Sequence, residues 1–210
     1  MVLRTPGSVN IMSTIITVYG YNFGLMVSDK RQVTPTADSF APKNEDFSKI
    51  FKVTPNLLFG STGLFNIEEE LDDPFIGAGL SLKFDGGVQL IRDYIQKHFD
   101  SIGLLSKRTY MLLGFDDDGN RCLFKSEYKP DIGDFSEEIF RFKNQRDGIY
   151  ICMALPRKLV KLKSEFEKRI QDVITKTHDI NATIQVCSDI IKDISMMDDS
   201  VNSNIQSLTI

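Results

Sequence analysis

The chain has 210 residues, 41% of them apolar and 26% charged, with a formal net charge of −4. That usage is globular and excludes global disorder, and the charge is too small to demand a nucleic acid or an acidic membrane as partner. At this length one domain with one substantial core is expected.

No basic stripe interleaved with aromatics runs along the sequence, so nucleic acid is not an expected partner. No apolar run approaches the roughly 18 residues of a membrane span, and residues 1–11 lack the apolar stretch of a signal peptide. A soluble, cytoplasmic protein is expected. Cys122, Cys152 and Cys187 are odd in number and widely spaced, which suits buried free thiols in a reducing compartment. With no Cys-x-x-Cys or His-x-x-x-His pairing, neither a zinc site nor a cofactor is expected.

In chain order, Ser13 to Gly20 (STIITVYG) is β-branched and aromatic and reads as a strand. Gly20-Tyr21-Asn22 supplies turn chemistry, and Phe23 to Ser28 returns as a second strand. Residues 32–46 carry Pro35 and Pro42 among polar residues and read as a loop. Ser48 to Val53 and Leu57 to Ser61 form a second strand pair. Leu64 to Leu71 reads as a short helix, and Gly77 to Gly79 as irregular.

Val88, Ile91, Ile95 and Phe99 recur at helical spacing. Thr109 to Phe115 and Cys122 to Tyr128 make a hairpin around Asp116-Asp117-Asp118-Gly119-Asn120. That acidic turn invites a calcium reading, but its glycine is out of register for an EF-hand loop. Ile149 to Ala154 reads as a short buried strand, with Pro156 at the first position of the helix that follows. Leu159 to Thr177 and Ala182 to Met196 carry amphipathic stripes, and Ile205 to Ile210 ends the chain as a strand. Hairpins in place of β-α-β alternation point to antiparallel sheets with helices on their faces.

Ser13 to Arg31 (STIITVYGYNFGLMVSDKR) resembles the start of a mature proteasome β subunit and of the bacterial proteasome-like protease of the heat-shock locus. Ser13 stands at the nucleophile position, and the spacing to Asp29 matches without a gap. Ser48 to Gly63 (SKIFKVTPNLLFGSTG) resembles the second hairpin of that family, with Lys49 on its lysine and Gly63 on its oxyanion glycine. Asp198, in Met197-Asp198-Asp199-Ser200 before the last strand, matches its later aspartate. The resemblance implies an α+β, four-layer αββα sandwich of the N-terminal-nucleophile hydrolase type. Its hydrolase domain would span 13–210, behind an extension at 1–12.

In such a site the hydroxyl attacks a carbonyl while the α-amine of the same residue takes the proton. An α-amine has a reference pKa of about 7.7–8.0, and a lysine ammonium nearby pushes it lower. The resemblance gives that lysine role to Lys49, its charge partner to Asp29, the oxyanion N–H to Gly63 and the surrounding network to Asp198. Plainer readings stand beside these. Ser13 could simply start a strand, Asp29 could pair with Arg31 in solvent, Lys49 could be an exposed strand lysine, and Gly63 an ordinary turn residue.

Met12 precedes Ser13, and a Met-Ser bond suits methionine removal, so residues 1–11 read as an upstream extension. Self-processing of a short propeptide is the rival route. Ile151 to Pro156 (ICMALP) departs from the Gly-Ser-Gly usual at that point of active members. The resemblance therefore implies either a ring-forming serine-type peptidase for peptides or unfolded proteins, open to an ATPase regulator, or a silent ring subunit. An amidase of the wider superfamily is a third reading.

Overall fold

A computed structural model describes residues 13–35, 40–62, 81–102, 108–129, 132–143 and 148–210. The expected extension at 1–12, the helix expected at Leu64–Leu71, the irregular Gly77–Gly79 and the site residue Gly63 lie outside the described residues.

The first hairpin is β1 (Ile15–Tyr19) and β2 (Gly24–Asp29), paired from Ile15 opposite Ser28 to Tyr19 opposite Gly24. Every residue of both strands is buried. Strands covered on both faces read as continuous apolar runs instead of alternating ones, which is why this segment looks so uniform. The turn is closed by Gly20 N–H donating to Phe23 O at 3.0 Å, and a Cβ on Gly20 would meet the Phe23 ring.

Next come β3 (Gln32–Pro35), β4 (Phe40–Asn44), β5 (Ile50–Thr54) and β6 (Leu57–Thr62). Helix α1 (Phe84–Ile102) then leads to β7 (Thr109–Phe115), β8 (Arg121–Lys129), β9 (Asp134–Phe142) and β10 (Tyr150–Ala154). A 3-10 turn over Arg157–Leu162 runs into α2 (Lys163–Thr177), followed by α3 (Ile180–Met197) and β11 (Ile205–Thr209). One sheet has the order β10-β1-β2-β11, a second β5-β6-β7-β8-β9, and β3-β4 is a separate ribbon; all pairings are antiparallel. None of the described helices is long and apolar enough to cross a membrane.

Three expectations are corrected. The proline-bearing loop at 32–46 contains the β3-β4 ribbon, with Val33 opposite Pro42, Pro35 opposite Phe40 and a register shift after Gln32. A two-stranded ribbon leaves one side of each strand unpaired, so a residue without an N–H is tolerated there. Strand β9 has no counterpart in the sequence reading, because its exposed edge carries Glu137, Glu138 and Arg141 among its apolar residues. Charges of that kind protect an open sheet edge and hide the strand signal. Pro156 caps the 3-10 turn from outside, with Leu159 N–H returning to its carbonyl at 2.8 Å, so it is not the first residue of a single long helix.

The acidic stretch at 116–120 is a hairpin turn, as expected. Gly119 takes a φ of 76°, and the Asp116 carboxylate accepts from the amides of Asp118 and Asn120 and from the Arg141 guanidinium. The three cysteines are free and buried.

The buried apolar residues fall into three clusters. Ile16, Val18, Leu25 and Val27 pack with Phe166, Ile170 and Ile174 of α2 and Cys187, Ile190, Ile191 and Ile194 of α3. Leu57, Phe59, Leu112 and Phe124 pack with Phe84, Val88, Ile91 and Ile95 of α1. The third draws on both sheets: Ile15, Tyr19 and Met26 meet Ile50, Leu58, Met111, Leu113 and Leu123. Alternate residues of β1 therefore serve different clusters, the period-two consequence of a pleated strand.

Across the third cluster the sheets are tied by polar contacts as well. The Tyr19 hydroxyl donates to Gly114 O at 2.5 Å, and the Arg121 guanidinium donates to Gly20 O and lies over the Tyr19 ring. Gly60 marks their close approach, since a Cβ there would stand 3.1 Å from Ile50 and 3.2 Å from Ile15. Gly60→Val should therefore cost about 1–3 kcal/mol by overpacking. A urea unfolding curve checks it, with wild-type stability in the variant counting against this packing.

Candidate active site

Asp29 is the last residue of β2 and Lys49 directly precedes β5, so the hairpin register and the start of the second sheet bring them together. Lys49 Nζ donates to Asp29 Oδ2 at 2.6 Å. Both side chains are removed from solvent, at 4% and 0% exposure. Lys49 is anchored at its backbone, where its carbonyl accepts from Ser61 N–H of β6 at 3.0 Å.

The other carboxylate oxygen, Asp29 Oδ1, accepts the backbone N–H of Thr14 at 2.8 Å, while Asp29 N–H donates to Thr14 O at 3.3 Å. Ser13 is thus joined by one peptide bond to a residue clamped at both its N–H and its carbonyl. Ser13 itself is buried. Asp29 Oδ2 also accepts Arg31 N–H at 3.1 Å. One carboxylate therefore receives a lysine and two amides, which satisfies a buried charge that would otherwise be costly.

The solvent-exposed readings of this pair are overturned. Lys49 is not a surface strand lysine, and Asp29 takes only the backbone amide of Arg31. The Arg31 guanidinium turns instead to Glu45, Asp199 O and Val201 O. Burial holds the Lys49 ammonium below its ordinary value of 10.5; Asp29 opposes that shift, Arg31 adds to it and Glu45 opposes it.

Asp198 shares no hydrogen bond with the pair among those described. It caps the end of α3, and its carboxylate accepts Ser200 N–H at 2.9 Å, Ser200 Oγ–H at 2.5 Å and Lys158 Nζ at 3.3 Å. On the other flank, β10 ends with Ala154 opposite Ile15, and the buried Leu155 and Pro156 follow.

The sequence reading missed how Arg31, Glu45 and Asn202 gather beside Asp29. Arg31 Nε donates to Glu45 Oε2 at 3.1 Å, Asn202 Nδ2 donates to the same oxygen at 2.7 Å, and Lys30 N–H donates to Asn202 Oδ1 at 3.1 Å. An Asp-Lys-Arg run was the one available signal. Its partners lie 14 and over 160 positions away, beyond any local pattern.

The fold is proteasome-like, with antiparallel sheets and three helices among the described residues. The chain is similar to eukaryotic HslV from Trypanosoma brucei, at TM-score 0.53 and 14% identity over 93% of this chain and 98% of that one. It is also similar to Anbu, the ancestral β-subunit, from Yersinia bercovieri, at TM-score 0.59 and 11% identity over 93% and 80%. The Anbu complex of Pseudomonas aeruginosa, solved as a helical assembly, gives TM-score 0.57 and 12% identity over 94% and 80%. No protein-family model and no curated protein matches the sequence. At these identities the likeness is one of fold.

Two outcomes follow from the buried pair. Asp29→Asn or Lys49→Met alone strands a buried charge and should cost about 3–5 kcal/mol, whereas the double variant should lose clearly less than the sum. Additive losses in a double-mutant cycle by urea unfolding would show that the two do not act as a pair.

The second outcome concerns pH. Between the lowered folded value of Lys49 and 10.5, the unfolded chain holds more protons on this group, so its contribution to stability improves as pH rises. Below the folded value the full cost of burying the cation is in force. Unfolding curves taken up to pH 10.5 should show this rise in the native chain and lose it in Lys49→Met.

Proposed function

We propose that the chain is a proteasome-like peptidase subunit with Ser13 as nucleophile and its liberated α-amine as base. The observation that carries this reading is the buried Asp29–Lys49 ion pair, 2.6 Å long, whose carboxylate also holds the amide next to Ser13. A buried ion pair is a poor stabiliser compared with apolar residues of the same volume. Placed at the open end of the first hairpin, with its carboxylate on the Thr14 amide, it supports a local electrostatic role.

In this reading the Ser13 hydroxyl attacks the scissile carbonyl and its proton passes to the α-amine. The Lys49 ammonium lowers the proton affinity of that amine and favours the developing alkoxide. Asp29 neutralises the lysine in the ground state and orients Ser13 through Thr14. Gly63 is assigned the oxyanion N–H, a contribution typically worth about 2.7–4 kcal/mol. Collapse of the tetrahedral intermediate expels the amine with the proton held by Ser13, and water then releases the acyl group by the same route. Asp198 is assigned the network around the nucleophile, a role its bonds to Ser200 and Lys158 support.

The domain is assigned to 13–210, with 1–12 removed so that the amine is free. Its three apolar clusters are taken as the seams of a four-layer sandwich, with α2 and α3 outside one sheet and α1 outside the other. Substrates are peptides or unfolded proteins, delivered by an ATPase regulator in the cytoplasm. Copies of the chain assemble into a ring. Support for assembly comes from the Anbu helical assembly and from exposed Met196, Met197 and Val160 on the C-terminal helical elements.

A silent assembly subunit is the second reading, favoured by Leu155 and Pro156 at the segment where active family members place a serine. Intact mass of natively expressed protein, with and without a peptide β-lactone, separates the two. The peptidase reading expects a mature chain starting at Ser13 and an adduct on it. It also expects Lys49→Ala to cut peptide turnover by at least about 100-fold with assembly intact. An unprocessed, unreactive chain that still assembles would establish the silent subunit.

A further inference from the structure

The two parts of the site, the Asp29–Lys49 pair and the loop after Asp198, share no direct hydrogen bond among those described. They are joined through Arg31. Its backbone N–H donates to Asp29 Oδ2, while its guanidinium donates to Asp199 O at 2.7 Å and Val201 O at 3.4 Å. The guanidinium is held by Glu45, which approaches at 3.1 Å through Nε and 3.0 Å through the ion pair with Nη2. Glu45 in turn accepts from Asn202, at both its carboxylate and its backbone carbonyl, and Asn202 accepts from the amide of Lys30.

We infer that Arg31 and Glu45 are positioning residues for this site, a charge-balanced latch that seats the 199–202 loop against β2 and holds Asp29 aimed at both Lys49 and Thr14. The inference deepens the peptidase reading and rests on it for the site's function, though not for its test. Neither residue touches the reacting atoms.

The geometry suits this role in three ways. The arginine fork engages the Glu45 carboxylate through Nε and Nη2 while Nη1 reaches two carbonyls, a planar bidentate geometry that the point-like ammonium of a lysine does not reproduce. The latch sits at the end of β2, where the β11 pairing begins with Ile205 opposite Asp29, so it closes the sheet edge leading into the site. Its charges also bear on Lys49 with opposite signs. Among the described residues the charged groups with the largest effect on that ammonium are Asp29, Arg31 and Glu45, of which Arg31 repels its proton and Glu45 retains it.

The test reads Lys49 directly, by NMR titration of the 13C-labelled lysine side chains in the full chain, assigned with Lys49→Met. Glu45→Gln, a near-isosteric change at a half-exposed position, should move the Lys49 midpoint down; Arg31→Met should move it up. Arg31→Lys keeps the charge without the fork. It should leave the midpoint close to wild type yet raise hydrogen exchange at the Lys30 amide, which donates to Asn204 O at 2.9 Å and to Asn202 Oδ1 at 3.1 Å in the latched loop, by about tenfold or more.

A residue that merely stabilised the fold would move both midpoints in one direction or neither, and either result overturns the latch. Unchanged exchange in Arg31→Lys would overturn it as well. Failure of Ser13 to take a β-lactone in the wild type would instead count against the peptidase reading and leave the Lys49 midpoints to decide the latch.

Discussion

The arrangement around Ser13 depends on satisfying one carboxylate inside the protein. Asp29 is fully buried, and burying a carboxylate is costly unless it is matched by charge and filled with donors. Lys49 supplies the charge, and the amides of Thr14 and Arg31 fill the remaining acceptor sites. Each donor comes from a different place in the chain, so satisfying this carboxylate also fixes where β1, β2 and the entry to β5 stand.

That constraint links fold to chemistry. The β1-β2 hairpin is covered on both faces, one by the α2-α3 cluster and the other by residues of the second sheet. Such a strand cannot slip by one residue without exchanging its two apolar sets, so its register is firm. A firm register delivers Thr14 and Asp29 opposite one another at the hairpin's open end. Burial that makes the hairpin rigid also removes water from Lys49, which keeps its electrostatic influence strong at short range.

The outer connections show a different economy. Arg31, Glu45 and Asn202 sit where chain segments converge from the end of β2, the approach to β5 and the loop before β11. Exposed ion pairs contribute little to stability individually. Here the pair is joined to buried Asn202 and to backbone carbonyls, so its contribution lies in geometry. The likeness to proteasome-like subunits at 11–14% identity fits this division, since a shared fold at that distance is carried by packing pattern, not residue identity.

The sequence by itself determined the hairpins and the amphipathic helices, because β-branched runs, turn residues and helical spacing are local signals; the candidates Ser13, Asp29 and Lys49 came instead from its resemblance to a known family. It concealed β3-β4 behind prolines and β9 behind edge charges, since what makes those residues tolerable is pairing on one side only. Whether Asp29 and Lys49 were buried partners or surface ions was also beyond it. Only the tertiary structure decided that, because burial is set by what packs over a residue, and those layers come from segments far away in the chain. For the same reason the Arg31 junction and the separate bonding of Asp198 became legible only after folding had brought distant positions together.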